Sequence, residues 1–217
     1  RRFAPGLRAV MRRLEAGDLG RLQRIEVHVH ANLLDMGTHL IDMAFMLNRE
    51  CPARWVMGQV DTREVKRWFG VPFEWAAAAS IGFDNDVHAA VRSGGVTDPA
   101  MKLGLRLTCE RGTMECPAWF TKLRVLRRGA AEWEEEGQDD PEYRTTMRGA
   151  VDDIVAGLEG SRVPQLCAEN ALRATEVVFA TFESSRRRAR VDLPLDAEDS
   201  SLQLLLDERE HGQRTDP

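Results

Sequence analysis

The chain has 217 residues, of which 43% are apolar and 30% charged, with a net charge of −5. That length suits one large domain or a domain with an appendage, and the acidic balance leaves no basic footprint for nucleic acid. No apolar run approaches the ~20 residues that span a bilayer, the Arg-rich start lacks the apolar core of a signal peptide, and Cys51, Cys109, Cys116 and Cys167 are widely spaced with no Cys-x-x-Cys pair, which favours packed thiols over a zinc knuckle or a disulfide framework. A reduced, cytoplasmic protein with packed thiols is expected.

Residues 6–16 read as a helix with Leu7, Val10, Met11 and Leu14 on one face. Gly17 and Gly20 break it, and the alternating run Leu22 to His30 predicts a strand. In that strand Ile25, Val27 and Val29 share one face, and His28 and His30 take the other. An apolar helix follows almost at once, from Leu33 to Leu47. After Asn48 come β-like runs at Trp55 to Val60, Trp75 to Phe83, Val87 to Arg92, Met101 to Cys109, Thr113 to Pro117 and Leu123 to Arg127. Gly94-Gly95 and Glu110-Arg111-Gly112 supply turns between them. Consecutive strands with short joints predict a mainly antiparallel sheet in an α+β fold, unlike the strand–helix alternation of a nucleotide-binding fold. The acidic stretch Glu132 to Glu142 reads as a solvated loop. Met147 to Leu158 and Ala168 to Ser184 read as amphipathic helices lying on one face of the sheet. The cations Arg186, Arg187 and Arg188 close the second, where they complement the helix dipole. From Asp196 a polar tail is expected to leave the body, with Leu202 to Leu206 able to dock on a neighbour.

The helix beginning at Leu33 carries the chemistry. Asp35 and His39 stand one turn apart on one face, and Asp42 falls close to the same stripe. A carboxylate one turn from an imidazole favours the protonated ring and fixes its orientation, which suits a general acid/base. The rest of the helix is Leu, Met, Ile, Ala and Phe, so the polar stripe either faces a cleft or is satisfied internally as a structural contact. A zinc site from His28, His30, His39 and Asp35 is a further reading of the same residues, weaker because strand histidines usually pack or meet water.

The segment LLDMGTHLIDMAFML resembles the Asp-x-x-x-His-x-x-Asp helix of the glucose-fructose oxidoreductase / inositol dehydrogenase (Gfo/Idh/MocA) family. Near the start, RRFAPGLRAVMRRLEAGDLGRLQRIEV is similar to that family's Arg-Phe-x-Pro helix and Gly-x-Leu-Gly turn into a strand. Near the end, AVDDIVAGLEGSRVPQLCAENALRATEVVFATFESSRRRARVDLPL resembles its closing helices and Val-x-Leu-Pro-Leu finish. The resemblance covers nearly all of residues 1–195 and implies an open-faced sheet with helices on one face, serving as substrate, catalytic and dimerisation domain, with 196–217 as a tail.

The resemblance further implies an NAD- or NADP-dependent oxidoreductase acting on a sugar, cyclitol or related polyol. His39 would accept the hydroxyl proton and Asp35 would orient it, with Asp42, Thr38 and His30 binding substrate or supporting the site. A homo-oligomer through an uncovered, apolar sheet face is expected, with the Trp75–Phe83 and Met101–Cys109 strands contributing. The chain departs from the family pattern in three respects. It has no Gly-x-Gly-x-x-Gly turn and no Glu-Lys-Pro segment, and only Ala31 to Leu34 join the strand to the helix where relatives carry a longer excursion. No residues for the dinucleotide are therefore assigned, and the start falls where the family's second domain begins, as in a truncated sequence, a split gene or a separated domain. A non-catalytic dimerisation or interaction module derived from that family is the alternative.

Overall fold

A computed structural model describes residues 1–94, 103–137, 140 and 143–213. Helix α1 (Pro5–Glu15) starts with proline in its first turn, where no backbone N–H is needed, and ends on Arg12 and Arg13, which suit the negative end of the dipole. Its buried Leu7 and Val10 face the sheet. Gly6 lies so near the chain at Phe120 and Lys122 that a Cβ there would stand 2.6 Å from a carbonyl oxygen. Strand β1 (Leu22–Val29) leads into a π-turn (Leu33–Gly37) that continues as α2 (Thr38–Leu47).

The strands β2 (Ala53–Asp61), β3 (Lys66–Trp68), β4 (Val71–Phe73), β5 (Ala76–Phe83), β6 (His88–Gly94), β7 (Leu103–Cys109), β8 (Gly112–Pro117), β9 (Lys122–Arg127) and β10 (Glu134–Gly137) follow. Helices α3 (Arg144–Leu158) and α4 (Ala168–Arg187), the short β11 (Val191–Asp192) and α5 (Ser201–Gln213) complete the order. Among the described residues, nine strands form one sheet in the order β10-β9-β8-β7-β1-β6-β5-β2-β11, and β3 and β4 make a separate hairpin. Among the described residues, β1 and β6 alone run parallel and the other neighbouring strands of the large sheet are antiparallel, as expected. No helix among the described residues is long and apolar enough to cross a membrane.

The core lies between one sheet face and the helices. Ile25, Val27 and Val29 of β1, Leu105 and Leu107 of β7, and Ile81 and Phe83 of β5 point inward with the apolar side of α2. Helix α4 lies along β2: Thr181 packs at Gly58, whose added Cβ would meet the threonine methyl at 2.7 Å. Ser184 Oγ and Ser185 Oγ accept the N–H groups of Gly58 and Val60 at 2.8 and 3.1 Å. Those donors would otherwise stand unpaired on the free edge of β2.

The opposite face is polar rather than apolar. Across five strands Glu26, Arg106, Glu115, Arg124 and Glu135 alternate in sign, with N–O distances of 3.6, 2.7, 3.5 and 3.5 Å between successive members. Side chains alternate strictly across a strand, so an inward Leu105 and Leu107 put Arg106 outward. Its uncovered apolar residues include Trp55, Met57, Ala78 and Ala90, towards β2.

Four further differences from the sequence reading have physical causes. Within the expected Glu132–Glu142 loop, Glu134–Gly137 pairs with β9, because Arg13, Arg124 and Arg127 neutralise its carboxylates; residues 138, 139, 141 and 142 lie outside the described ones. The tail does not leave the body over 201–213. It forms α5 against α4, with Leu202 buried, Arg186 bound to Glu208 at 2.7 Å, and Arg209 donating to Thr62. The β3–β4 hairpin was not foreseen, since its strands are three residues each and carry no long alternation. Finally, α3 does not settle on the sheet; Met147, Val151, Ile154, Val155 and Leu158 on one of its sides are exposed. Residues 101 and 102 of the expected Met101–Cys109 strand, and Gly95 of the expected turn, lie outside the described residues.

Candidate active site

The site is built on the junction of β1 with α2. Asn32 Oδ1 accepts the Asp35 N–H at 2.8 Å, a side-chain cap on a donor that the first turn leaves unpaired. Glu74, buried at the foot of the β3–β4 hairpin, accepts the Leu33 N–H at 2.6 Å through Oε1. The Gly37 N–H reaches back to Asn32 O at 3.1 Å, a five-residue step that makes this turn wider than an α-turn. Gly37 fits there because an added Cβ would stand 3.0 Å from Leu33. Thr38 Oγ1 donates to Asp35 O at 2.8 Å, so its hydroxyl proton is used within the turn. Beyond it, Leu40, Ile41, Met43 and Leu47 anchor α2 in the core and leave His39 on the open side.

His39, Thr38 and Asp42 line a cleft of about 430 Å3 with Arg2. Its far wall comes from the approach to α4 and that helix's first turns: Gln165, Leu166, Cys167, Asn170 and Thr175. Asp42 is held from behind. Arg2 is 2% exposed and donates to it through Nε at 2.8 Å and Nη2 at 2.5 Å, and also bonds Glu50. Burial alone would weaken the hold of Arg2 on its proton, but the bonds to Asp42 and Glu50 more than offset that and raise its pKa. Asp42 is thus committed to a structural fork with two parallel bonds.

His39 is held below its ordinary pKa of 6.5, first by burial of part of the ring and then by the positive charge of Arg1. The carboxylates of Asp35 and Asp42 pull the other way and are outweighed. The expected net preference for a protonated ring is thereby corrected: Asp35 acts in the expected direction, but lost hydration is the larger effect. A neutral imidazole in a cleft near neutral pH is able to accept a proton.

Asp35 is exposed and opens into a second, smaller cavity of about 200 Å3, whose walls are Asn32, Leu34 and the hairpin residues Trp68, Val71, Pro72 and Phe73. Leu34 borders both cavities, so the carboxylate and the imidazole serve adjoining spaces rather than touching. His30 is exposed just past the end of β1 and lines neither cavity. His28 follows Arg24 and Glu26 in the outward row of β1, while α2 lies over the inward one. Among the described residues no group of three or more His, Cys, Asp or Glu is placed to hold a metal ion. A third cavity of about 340 Å3, at the far end of α2 beside Asn48, Arg49 and Asn85, carries no carboxylate–imidazole pair.

The far wall and the hairpin were not singled out from the sequence. Arg2 and Asp42 are forty residues apart along the chain, and Trp68 sits in a short polar run with no periodic signal.

No known-family model matches the sequence, and no curated protein does. Solved structures do. The WlbA dehydrogenase from Bordetella pertussis in complex with NADH and UDP-GlcNAcA superimposes with a TM-score of 0.66 at 19% identity, over 90% of this chain and 63% of that one. An NAD binding oxidoreductase from Klebsiella pneumoniae gives 0.72 at 16%, over 90% and 65%. Levoglucosan dehydrogenase in complex with NADH and L-sorbose gives 0.72 at 17%, over 90% and 64%. The chain has their fold. It spans a little under two thirds of the length of these oxidoreductases.

Proposed function

We propose that residues 1–195 form the substrate-binding and catalytic domain of an NAD- or NADP-dependent oxidoreductase acting on a sugar, cyclitol or related polyol, with 196–217 as an appended segment. The observation that carries this reading is a neutral-leaning imidazole, His39, on the open side of α2 in a cleft, within a fold shared with NAD-linked dehydrogenases. The solved neighbours hold UDP-GlcNAcA, levoglucosan and L-sorbose, and the carboxylate of Asp35 beside His39 suits hydroxyl-rich ligands of that kind.

The residues present do not fit a dinucleotide. The sequence contains no Gly-x-Gly-x-x-Gly, and β1 enters α2 through Asn32 and Leu33 rather than a glycine turn. The steps assigned to this chain are therefore on the substrate side. His39 takes the proton from the hydroxyl being oxidised. Asp35 accepts a hydrogen bond from the substrate and adjusts the proton affinity of His39. Asp42 and Arg2 hold α2 in place so that His39 keeps its position, and the wall from Gln165 to Thr175 narrows the cleft. His30 stands outside both cavities and keeps at most a supporting place.

The test is NAD(P)+ reduction by this chain joined to a nucleotide-binding domain, across a panel of sugars and cyclitols. Turnover that appears with wild type and collapses in His39→Ala supports the reading. No turnover with any polyol, or full turnover without His39, sinks it.

A further inference from the structure

The β3–β4 hairpin has no counterpart in the roles assigned above, yet it stands over the catalytic turn. Its two strands pair Lys66 with Phe73 and Trp68 with Val71, and its tip is the dipeptide Phe69-Gly70. Both tip residues have positive φ, 48° and 81°, as a two-residue hairpin with the right-handed twist requires. Trp68, Phe69 and Val71 are 57%, 96% and 55% exposed, an unusual concentration of apolar surface on one short element.

Towards the body, the hairpin closes the cavity that holds Asp35. Among the described residues, no hydrogen bond reaches the Asp35 carboxylate. The cavity is otherwise apolar, apart from Asn32, whose Oδ1 is taken up by the Asp35 N–H. The hairpin is tied to this spot from below. Glu74, the residue after β4, holds the first N–H of the π-turn, and the Trp75 N–H is bound to Asp61 O at 2.8 Å. The short joint Ala31–Leu34 leaves the Asp35 end of the cleft open, and the hairpin, an excursion between β2 and β5, covers it.

We propose that this cavity is a subsite for a pyranose or cyclitol ring, with Trp68 as the specificity-determining residue. An exposed aromatic face beside one unpartnered carboxylate complements a molecule with one C–H-lined face and a rim of hydroxyls. The indole takes the C–H face while Asp35 accepts from the rim, which places the ring next to Leu34 and the neighbouring His39 cleft. Asp35 then belongs to recognition as well as to the tuning of His39. The proposal rests on reading the Asp35–His39 turn as a polyol site, and it adds where the ring is gripped.

The experiment needs no cofactor. The 217-residue chain is titrated with D-glucose, myo-inositol and uridine, read by saturation-transfer NMR and tryptophan fluorescence, for wild type, Trp68→Ala and Trp68→Phe. The expected result is binding of D-glucose or myo-inositol, weakened about tenfold or more in Trp68→Ala and largely kept in Trp68→Phe. Trp68 is an exposed residue, so the variants should fold, which circular dichroism checks. Equal sugar affinity in wild type and Trp68→Ala overturns the subsite and leaves the polyol-site reading standing. Binding of neither polyol to the wild type overturns both. Trp68-dependent binding of uridine alone shows a base-stacking wall instead of a sugar wall. Loss of self-association in Trp68→Ala with unchanged sugar affinity shows an arm for a second copy.

Discussion

Arg2 grips Asp42 by two bonds, 2.8 Å from Nε and 2.5 Å from Nη2, and so pins the N-terminal segment to the middle of the helix that presents His39. A guanidinium 2% exposed has little water to fall back on if that partner weakens. Asp42→Asn should therefore act chiefly on stability, lowering it by about 1–3 kcal/mol, and, since its charge also raises the proton affinity of His39, should move the acid limb of any activity down, by less than Asp35→Asn does. Denaturant unfolding beside a pH profile separates the two; a large pH shift with unchanged stability would show Asp42 working on the proton instead.

His39→Ala should lower turnover by ~10²–10⁴, the usual span for loss of a general base. Asp35→Asn should lower it less. The steady-state comparison is made in the chain joined to a nucleotide domain, and near-full activity in His39→Ala would reverse the assignment.

The pH profile follows from the depressed pKa of His39. The base form persists below the ordinary value of 6.5, so the acid limb of kcat/KM should lie under that value. The Asp35 carboxylate raises the proton affinity of His39, so Asp35→Asn should move the limb further down. Stability has the same sign. A neutral His39 stabilises the fold above its unfolded pKa, and that contribution disappears as pH falls through the lower folded value. A limb above 6.5, or an upward shift in Asp35→Asn, would contradict this.

Glu74 offers the opposite case. Burial raises its pKa, so its contribution to stability is present at acid pH and is lost as pH rises through the raised folded value. Glu74→Gln keeps an acceptor for the Leu33 N–H without the charge and should flatten that loss. Glu74→Ala leaves the N–H unpaired and should cost about 1–3 kcal/mol. Thermal unfolding between acid and mildly alkaline pH reads both, and identical pH slopes in wild type and Glu74→Gln would show that the carboxyl is not titrating in the fold.

Thiol reactivity should divide by burial. Cys109 and Cys116 are pushed up to about 11 and about 12 by burial, so little thiolate forms near neutral pH. A thiol reagent on the native chain should modify the partly exposed Cys51 and Cys167 first, with mass spectrometry placing the label. Early labelling of Cys116 would mean that the β8 core opens readily.

The sheet was legible because β1, β2 and β5 to β9 alternate or run apolar, and α2 was legible because its long apolar stretch is interrupted only by Asp35, Thr38, His39 and Asp42. The lowered proton affinity of His39 was not, because it depends on how much water the ring loses to its surroundings. The acidic β10 escaped for a similar reason: its Glu side chains forbid a strand until arginines from α1 and β9 arrive beside them. The polar outer sheet face could have been read from Glu26, Arg106, Glu115 and Arg124, whose alternation with apolar neighbours is plain in the sequence.

The two serines of α4 that occupy the Gly58 and Val60 amides have a consequence for how copies of this chain can meet. With those donors taken, β2 has no free rung there for an incoming strand. At the other border β10 is short and shows carboxylates to any newcomer. Strand addition is thus disfavoured along the part of β2 beyond the two-residue β11 and along β10. A contact between two copies, were one to form, would be left to the broadside faces: the small neutral area around Met57 and Ala78, or the charged rows, where salt concentration would tune its strength.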